Sequence, residues 1–381
     1  MSADREYRVC SWCVMDTSDP EITFDAAGRC NHCSAFEKLR GTSWFPDKDG
    51  QRRLDALVEM VKSEGRGKQY DCVLGLSGGV DSSYLALKAH EWGLRPLVVH
   101  VDGGWNSELA VQNIERIVKH CGYELHTLVV NWEDMRELQL AYLRAAVANQ
   151  DVPQDHAFFA GLYHFATSNN VRYVLNGGNV ATEGIFPSAW LGAAMDARNL
   201  KAIHKRFGTQ PLIDYPLISF IQYYVWYPIV KRMKPLRPLN LMPYSKELAL
   251  AELERIGWRA YPRKHGESLF TKFFQNYYLP TKFGYDKRRP HLSSLVASGA
   301  ITRERALGLL DEPLYDQDEL RRDRQYLCRK LRVSDEEFDD LMQLPIQHYT
   351  DFDNWDRQFR RMKSLQTSIA KFTGRSISVY G

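Results

Sequence analysis

The string Leu74-Gly75-Leu76-Ser77-Gly78-Gly79-Val80-Asp81-Ser82-Ser83 has the residue types that hold a polyphosphate. The apolar run from Cys72 to Leu76 predicts a buried strand, and Ser82 to Glu91 predicts a helix directly after it. A tight turn between the two leaves backbone N–H groups and a helix N-terminus at the strand's end, which is an anion site. Gly78 and Gly79 let the backbone approach a phosphate with no Cβ in the way. Ser77, Ser82 and Ser83 add hydroxyl donors. No lysine follows in the Walker position, which excludes the usual P-loop. Asp81 is too acidic to meet phosphate without a cation, so it either binds Mg²⁺ or caps the helix.

A second constellation lies upstream. Cys10-x-x-Cys13 and Cys30-x-x-Cys33 have the spacing of two knuckles that give tetrahedral thiolate coordination, a four-cysteine zinc ribbon. Residues 21–29 between them read as two short strands turning at Ala26-Ala27-Gly28. A closed four-thiolate site keeps no open position, so the metal's expected role is structural. Disulfides and an iron–sulfur cluster are the competing readings. Some forty residues have little core of their own, and metal binding would supply folding energy. Cys72 and Cys121 sit in apolar settings and read as packing.

These groups need a scaffold, and the chain between 71 and 176 supplies one. Apolar runs at 71–76, 95–101, 124–130 and 171–176 alternate with helical patterns at 82–92, 107–121, 133–148 and 155–168. Continuous aliphatic runs such as Leu97-Val98-Val99 fit strands covered on both faces. The expected fold class is α/β, a doubly wound parallel sheet with an N-terminal zinc ribbon and a helical C-terminal region. Ligands of such sheets bind beyond the carboxyl ends of the strands. Ser77, Val101-Asp102 and Gly177-Gly178-Asn179 all fall at such ends and predict one crevice. The expected organisation is a ribbon over 1–45, a nucleotide-binding domain over 46–184, and an aromatic-rich, helical acceptor or partner region over 185–381. Beyond about 184 the βα pattern stops, and residues 207–230 become rich in aromatics that read mainly as core.

With 381 residues, 44% hydrophobic and 25% charged, the chain has the composition of a globular protein with a sizeable core. A formal net charge of +3 is too balanced for a nucleic-acid binder. No apolar leader is read at the N-terminus, and residues 211–230 are too interrupted by Asp214, Gln222 and prolines to span a membrane. The expectation is a cytoplasmic enzyme.

The wording SGGVDSS resembles the PP-loop of the ATP pyrophosphatase superfamily, whose members split ATP into AMP and pyrophosphate to activate a carbonyl or amide oxygen. The run Gly177-Gly178-Asn179-Val180-Ala181-Thr182-Glu183-Gly184 resembles the second glycine-rich motif of amidating members, which makes Glu183 a candidate Mg²⁺ ligand beside Asp81. If ATP is split in this way, cations near the leaving pyrophosphate stabilise the transition state. Lys264 and His265 are the leading candidates, with Lys272 and Arg288 behind them; a solvated basic loop is the alternative. Taken in order, the ribbon, the PP-loop, GGNVATEG and Lys264-His265-Gly266-Glu267-Ser268 resemble the N-acetyl sugar amidotransferases, the WbpG-like and PseA-like proteins. That resemblance implies ATP, Mg²⁺ and Zn²⁺. It also implies a nucleotide-linked acetamido sugar, UDP-linked in the expected case, converted to an acetamidino sugar in O-antigen, other surface-polysaccharide or flagellin sugar biosynthesis. Ammonia would come from a separate glutaminase through a barrel-like channel partner. Two rival readings stand beside it: a PP-loop tRNA-modifying enzyme of thiolation or lysidine type, and a non-catalytic zinc-ribbon scaffold that senses nucleotide.

Overall fold

The computed structural model describes residues 6–190, 192, 194–261 and 266–373. Lys264 and His265 lie outside the described residues. Residues 6–40 form a small cysteine-rich module in which the segment between the knuckles makes one antiparallel bridge, Phe24 to Cys30, around Gly28 at φ +80°. Helix α1 (Asn31–Leu39) follows, then α2 (Lys48–Glu64), capped by the Asp47 carboxylate on two backbone N–H groups.

Five strands then form a wholly parallel sheet in the order β3-β2-β1-β4-β5. They are β1 (Cys72–Gly75), β2 (Pro96–Asp102), β3 (Leu125–Val129), β4 (Tyr173–Leu175) and β5 (Lys234–Leu236). The crossovers are α3 (Val80–Glu91), α4 (Glu108–Cys121), and the pair α5 (Trp132–Ala145) and α6 (Val152–Ser168). Successive strand residues serve opposite faces. Cys72, Leu74 and Val98 enter one core with α3, α4 and the metal module. Val73, Leu97, Val99 and Val174 enter another with Ala160, Tyr163 and Ala166 of α6. The sheet is therefore doubly wound, as the aliphatic runs predict.

One expectation needs correction. The sheet does not end near residue 184. Its last strand, β5, comes from beyond that point and pairs with β4. It is three residues long and contains Pro235, which leaves no pattern to read. Between β4 and β5 lie α7 (Val180–Glu183), α8 (Ala197–Phe207) and a π-helical segment, Gln222–Val230, that contains Pro228. After β5 come α9 (Lys246–Glu254), α10 (Leu269–Phe273), a π-helical turn (Phe274–Tyr278), α11 (Leu279–Phe283), α12 (Arg288–Ser298), α13 (Arg303–Leu310), α14 (Gln317–Leu331), α15 (Asp335–Gln343) and α16 (Asp356–Thr373). Phe270, Phe273, Phe274, Leu327 and Phe338 share a core with Trp105, Leu140 and Leu143, so the C-terminal helices are fastened directly to the nucleotide domain.

Candidate active site

The phosphate turn is preorganised by its own hydroxyls. Gly78 takes φ +82°, and a Cβ there would lie 2.8 Å from the carbonyl oxygen of Ala110, so only glycine fits. Gly79 is the residue before α3. The Ser77 and Ser82 hydroxyls lie 3.0 Å apart, the Ser77 N–H donates to Ser82 Oγ, and the Gly79 N–H donates to Ser77 Oγ. Ser83 does not join them. It is buried, and its Oγ accepts from the Trp258 indole at 3.1 Å. One residue further along a helix is a rotation of about 100°, which turns Ser83 from the turn into the core. Leu76 and the half-buried Val80 contribute backbone beside the turn, with Leu76 fully packed.

The second wall comes from β4 and α7. A Cβ on Gly177 would lie 3.0 Å from the Asp81 carbonyl carbon and the Ser82 nitrogen, so this glycine lets the two motifs touch through their backbones. The Gly178 N–H donates to Asn176 Oδ1 at 2.7 Å, and Glu183 Oε2 would lie 3.7 Å from a Cβ on Gly178. Asn179 caps α7 by accepting from the Thr182 N–H. The Tyr244 hydroxyl donates to the Asp81 carboxylate. Burial, the Asp81 charge and bond, and the nearby Glu183 charge all push the Tyr244 phenol far up, so it stays a donor. Asp81 and Glu183 thus flank one buried tyrosine, a donor set of hard oxygens that suits Mg²⁺.

The third wall lies at the end of β2, where the sequence placed Val101 and Asp102; the parts played by His100, Asn106 and Glu267 were not foreseen. His100 Nδ1 donates to the Leu76 carbonyl at 2.8 Å, which leaves Nε2 to accept from Asn106 at 2.9 Å. Asn106 also donates to Asp102 Oδ1, which accepts from the Gly104 N–H as well. Val101 contributes its place at the strand end, while its side chain packs towards Gly161. The stretch 105–107 pairs with 267–269: the Ser107 N–H donates to the Glu267 carbonyl, and the Leu269 N–H to that of Trp105. This brings the Glu267 carboxylate over Gly79, 3.4 Å from where a Cβ would be. A carboxylate over a phosphate cradle is tolerated only with a cation between them. A histidine inside the aliphatic run 97–101 was the sequence signal for His100.

Across the crevice, α12 packs on α7 through His291 to the Thr182 carbonyl, Ser294 Oγ to the Ile185 N–H and Ser298 to the Ala181 carbonyl. That packing sets Lys287, the residue before α12, 4.0 Å over the Phe186 ring. Lys287 faces the carboxylates of Asp151, Asp155 and Glu183, while burial pushes its ammonium down and that of the Asp155 carboxyl up. Two other described cations of this region are engaged by groups of their own. Lys272 pairs with Glu319 at 3.0 Å and with Asp323, and Arg288 binds Asp286 and the carbonyls of Leu309, Leu310 and Glu312. With these partners satisfied, both are held in the helical region by carboxylates and carbonyls.

The four module cysteines are buried, with their ligand atoms within 4.8 Å of one another. Sulfur–sulfur distances of 3.6, 3.7 and 3.9 Å match the edges, about 3.8 Å, of a tetrahedron with ~2.3 Å metal–sulfur bonds. Backbone N–H groups of Trp12, Cys13 and Cys30 point at Cys10 Sγ, and that of Met15 at Cys13 Sγ, which stabilises thiolates. The site is compatible with zinc.

The sheet is parallel throughout, and the SGGVDSS turn follows its central strand, β1, as the PP-loop resemblance of the sequence implies. Residues 267–366 match the family described as LPS biosynthesis protein WbpG-like, C-terminal domain. The chain therefore joins a parallel α/β sheet to a C-terminal segment similar to the WbpG-like domain. A 138-residue stretch is 30% identical to the uncharacterized protein MJ1599 of Methanocaldococcus jannaschii, covering 34% of this chain and 45% of that one, less than half its length. Among solved structures, an NH3-dependent NAD synthetase from Campylobacter jejuni is 14% identical, with 41% of this chain and 72% of that one covered and a TM-score of 0.28. An NMN synthetase from Francisella tularensis is also 14% identical, with 79% and 99% covered and a TM-score of 0.32.

Proposed function

We propose that the chain is an ATP-dependent amidotransferase that converts the acetamido group of a nucleotide-linked sugar to an acetamidino group. The observation that carries this reading is the pairing of 105–107 with 267–269, where the WbpG-like domain begins. It joins the WbpG-like segment to a wall of the phosphate cradle, which supports an acceptor held beside the nucleotide. In the proposed reaction the amide oxygen attacks that phosphorus, an O–P bond forms, and pyrophosphate leaves to the turn made by Ser77, Gly78, Gly79 and Ser82. Ammonia then adds to the imidate carbon, the C–O bond breaks, AMP leaves with the former amide oxygen, and the product is an amidinium. Mg²⁺ held by Asp81 and Glu183 would neutralise the polyphosphate. Asp151, Asp155 and Glu183 suit both an incoming ammonium and the cationic product, and Lys287 offers a counter-charge to phosphate. Ammonia is taken to come from a separate glutaminase subunit through a channel partner. The domain limits at 45 and 184 belong to the same proposal, with β5 counted in the nucleotide domain.

The test uses the full chain with ATP, Mg²⁺, ammonium and a UDP-linked diacetamido sugar. The expected result is release of AMP and pyrophosphate that depends on the sugar, abolished in Asp81→Ala with the fold retained. ATP turnover that ignores the sugar, or appears only with tRNA, refutes the reading.

A further inference from the structure

Among the described residues no helix is long and apolar enough to cross a membrane, yet one surface has the make-up of a membrane-facing one. In the π-helical segment Gln222–Val230 and the residue before it, Ile221, Val225, Trp226, Ile229 and Val230 are 67, 40, 45, 54 and 52% exposed. Their spacing of four, one, three and one residues puts them on one side of the segment. The opposite side pins it down. Tyr227 is buried, Tyr223 stacks on Tyr163 of α6 at 6.3 Å, and Tyr224 packs 5.6 Å from Phe359 of α16. The outward side chains are thus held out on a rigid ridge. A π-helical insertion with an internal proline costs backbone hydrogen bonding, and such insertions concentrate at functional sites.

The ridge has a mostly basic rim, with Glu64 the acid beside Lys234. Lys231, Arg232 and Lys234 are exposed at its end. Arg360 is exposed on α16 beside Phe359, whose contact with Tyr224 holds that helix next to the ridge, and residues 356–368 of α16 contain one acid, Asp356. The whole chain is nearly neutral, with 50 basic and 47 acidic residues, so this is a local excess. We propose that this surface docks on an anionic membrane, with the aliphatic side chains in the acyl boundary, Trp226 at headgroup depth and the cations on the phosphates. Charge decides between the occupants. Two copies joined through this face would bring like-charged rims together, whereas anionic headgroups complement them.

Flotation of the full chain with vesicles tests this, independently of any sugar or nucleotide. Binding is expected to vesicles of equal parts phosphatidylglycerol and phosphatidylcholine, but not to phosphatidylcholine alone, and to weaken as salt screens the rim. Lys231→Glu and Arg232→Glu should each weaken it about fivefold or more, and Ile229→Asp at least about tenfold. Melting temperature and ATP turnover in solution should stay unchanged in all three, since none lies in the crevice. Absence of flotation, flotation untouched by these substitutions, or a solution dimer abolished by Ile229→Asp would each overturn the proposal, the last assigning the ridge to a second copy.

Discussion

Two adjacent glycines should respond oppositely to the same methyl group. At Gly177 the added Cβ meets backbone: the Asp81 carbonyl carbon and the Ser82 nitrogen at 3.0 Å, and the Asp81 carbonyl oxygen at 3.1 Å. These atoms belong to the first turn of α3, which cannot yield without moving the phosphate turn. At Gly178 the same atom meets only side chains, Asn176 Oδ1 at 3.0 Å and Glu183 Oε2 at 3.7 Å. Overpacking against fixed atoms costs about 1–3 kcal/mol, and the lost freedom of the unfolded chain returns about 0.4–1 kcal/mol. Gly177→Ala is therefore expected to lose about 1–2 kcal/mol net, and Gly178→Ala to change stability by less than about 1 kcal/mol. Displacing α3 by a few tenths of an ångström should also raise the KM for ATP about tenfold in Gly177→Ala. Urea unfolding and pyrophosphate release measure the two effects. Equal stability of the two variants, or a greater loss in Gly178→Ala, would refute the claim that the motifs meet through backbone.

Cys30→Ser should release the metal and lower the melting temperature by several degrees; mass spectrometry of the native protein reads the metal, and a metal-free variant of unchanged stability contradicts the structural role. Lys330 lies 4.9, 4.7 and 5.6 Å from the rings of Trp105, Trp132 and Tyr326 and donates to the Gly104 carbonyl, so it clamps the loop that carries Asp102. Lys330→Met should cost about 1–3 kcal/mol and raise the KM for ATP more than it lowers kcat; a lower melting point with unchanged KM confines the clamp to stability. His156 is buried, donates through Nδ1 to the Ala194 carbonyl and accepts at Nε2 from the Ile218 N–H, and burial holds its pKa down to about 4 from 6.5. Between those values the unfolded chain binds the proton and the folded one does not, so about 3 kcal/mol of stability should disappear as pH falls through the window. Denaturant titrations at a series of pH values should show that slope, and His156→Asn should flatten it.

The local strings were readable because each does its work within a few residues. SGGVDSS, GGNVATEG and the paired cysteines carry their spacing with them, and four of the five strands announce themselves as aliphatic runs. What could not be read was assembled across distance. Glu267 reaches the cradle because residues 105–107 pair with 267–269. Lys287 reaches Glu183 because α12 packs on α7. Lys272 and Arg288 look identical to Lys287 in a basic run, and only the positions of Glu319, Asp323 and Asp286 decide which cations are consumed. Ser83 was misplaced for a simpler reason, since three serines in one motif do not reveal which of them the helical rotation turns inward.

The metal module also bears on how the chain assembles while it is being made. Its knuckle is clasped by Arg303, which donates to the carbonyls of Cys10 and Cys13, and by Ser293, which accepts from the Val14 N–H 279 residues upstream. At roughly 5–20 residues per second, those partners leave the ribosome some 15–55 seconds after the knuckle does. During that interval the metal alone can hold the cysteines in register. Metal supply during translation, rather than in the finished protein, would then set the yield of folded chains.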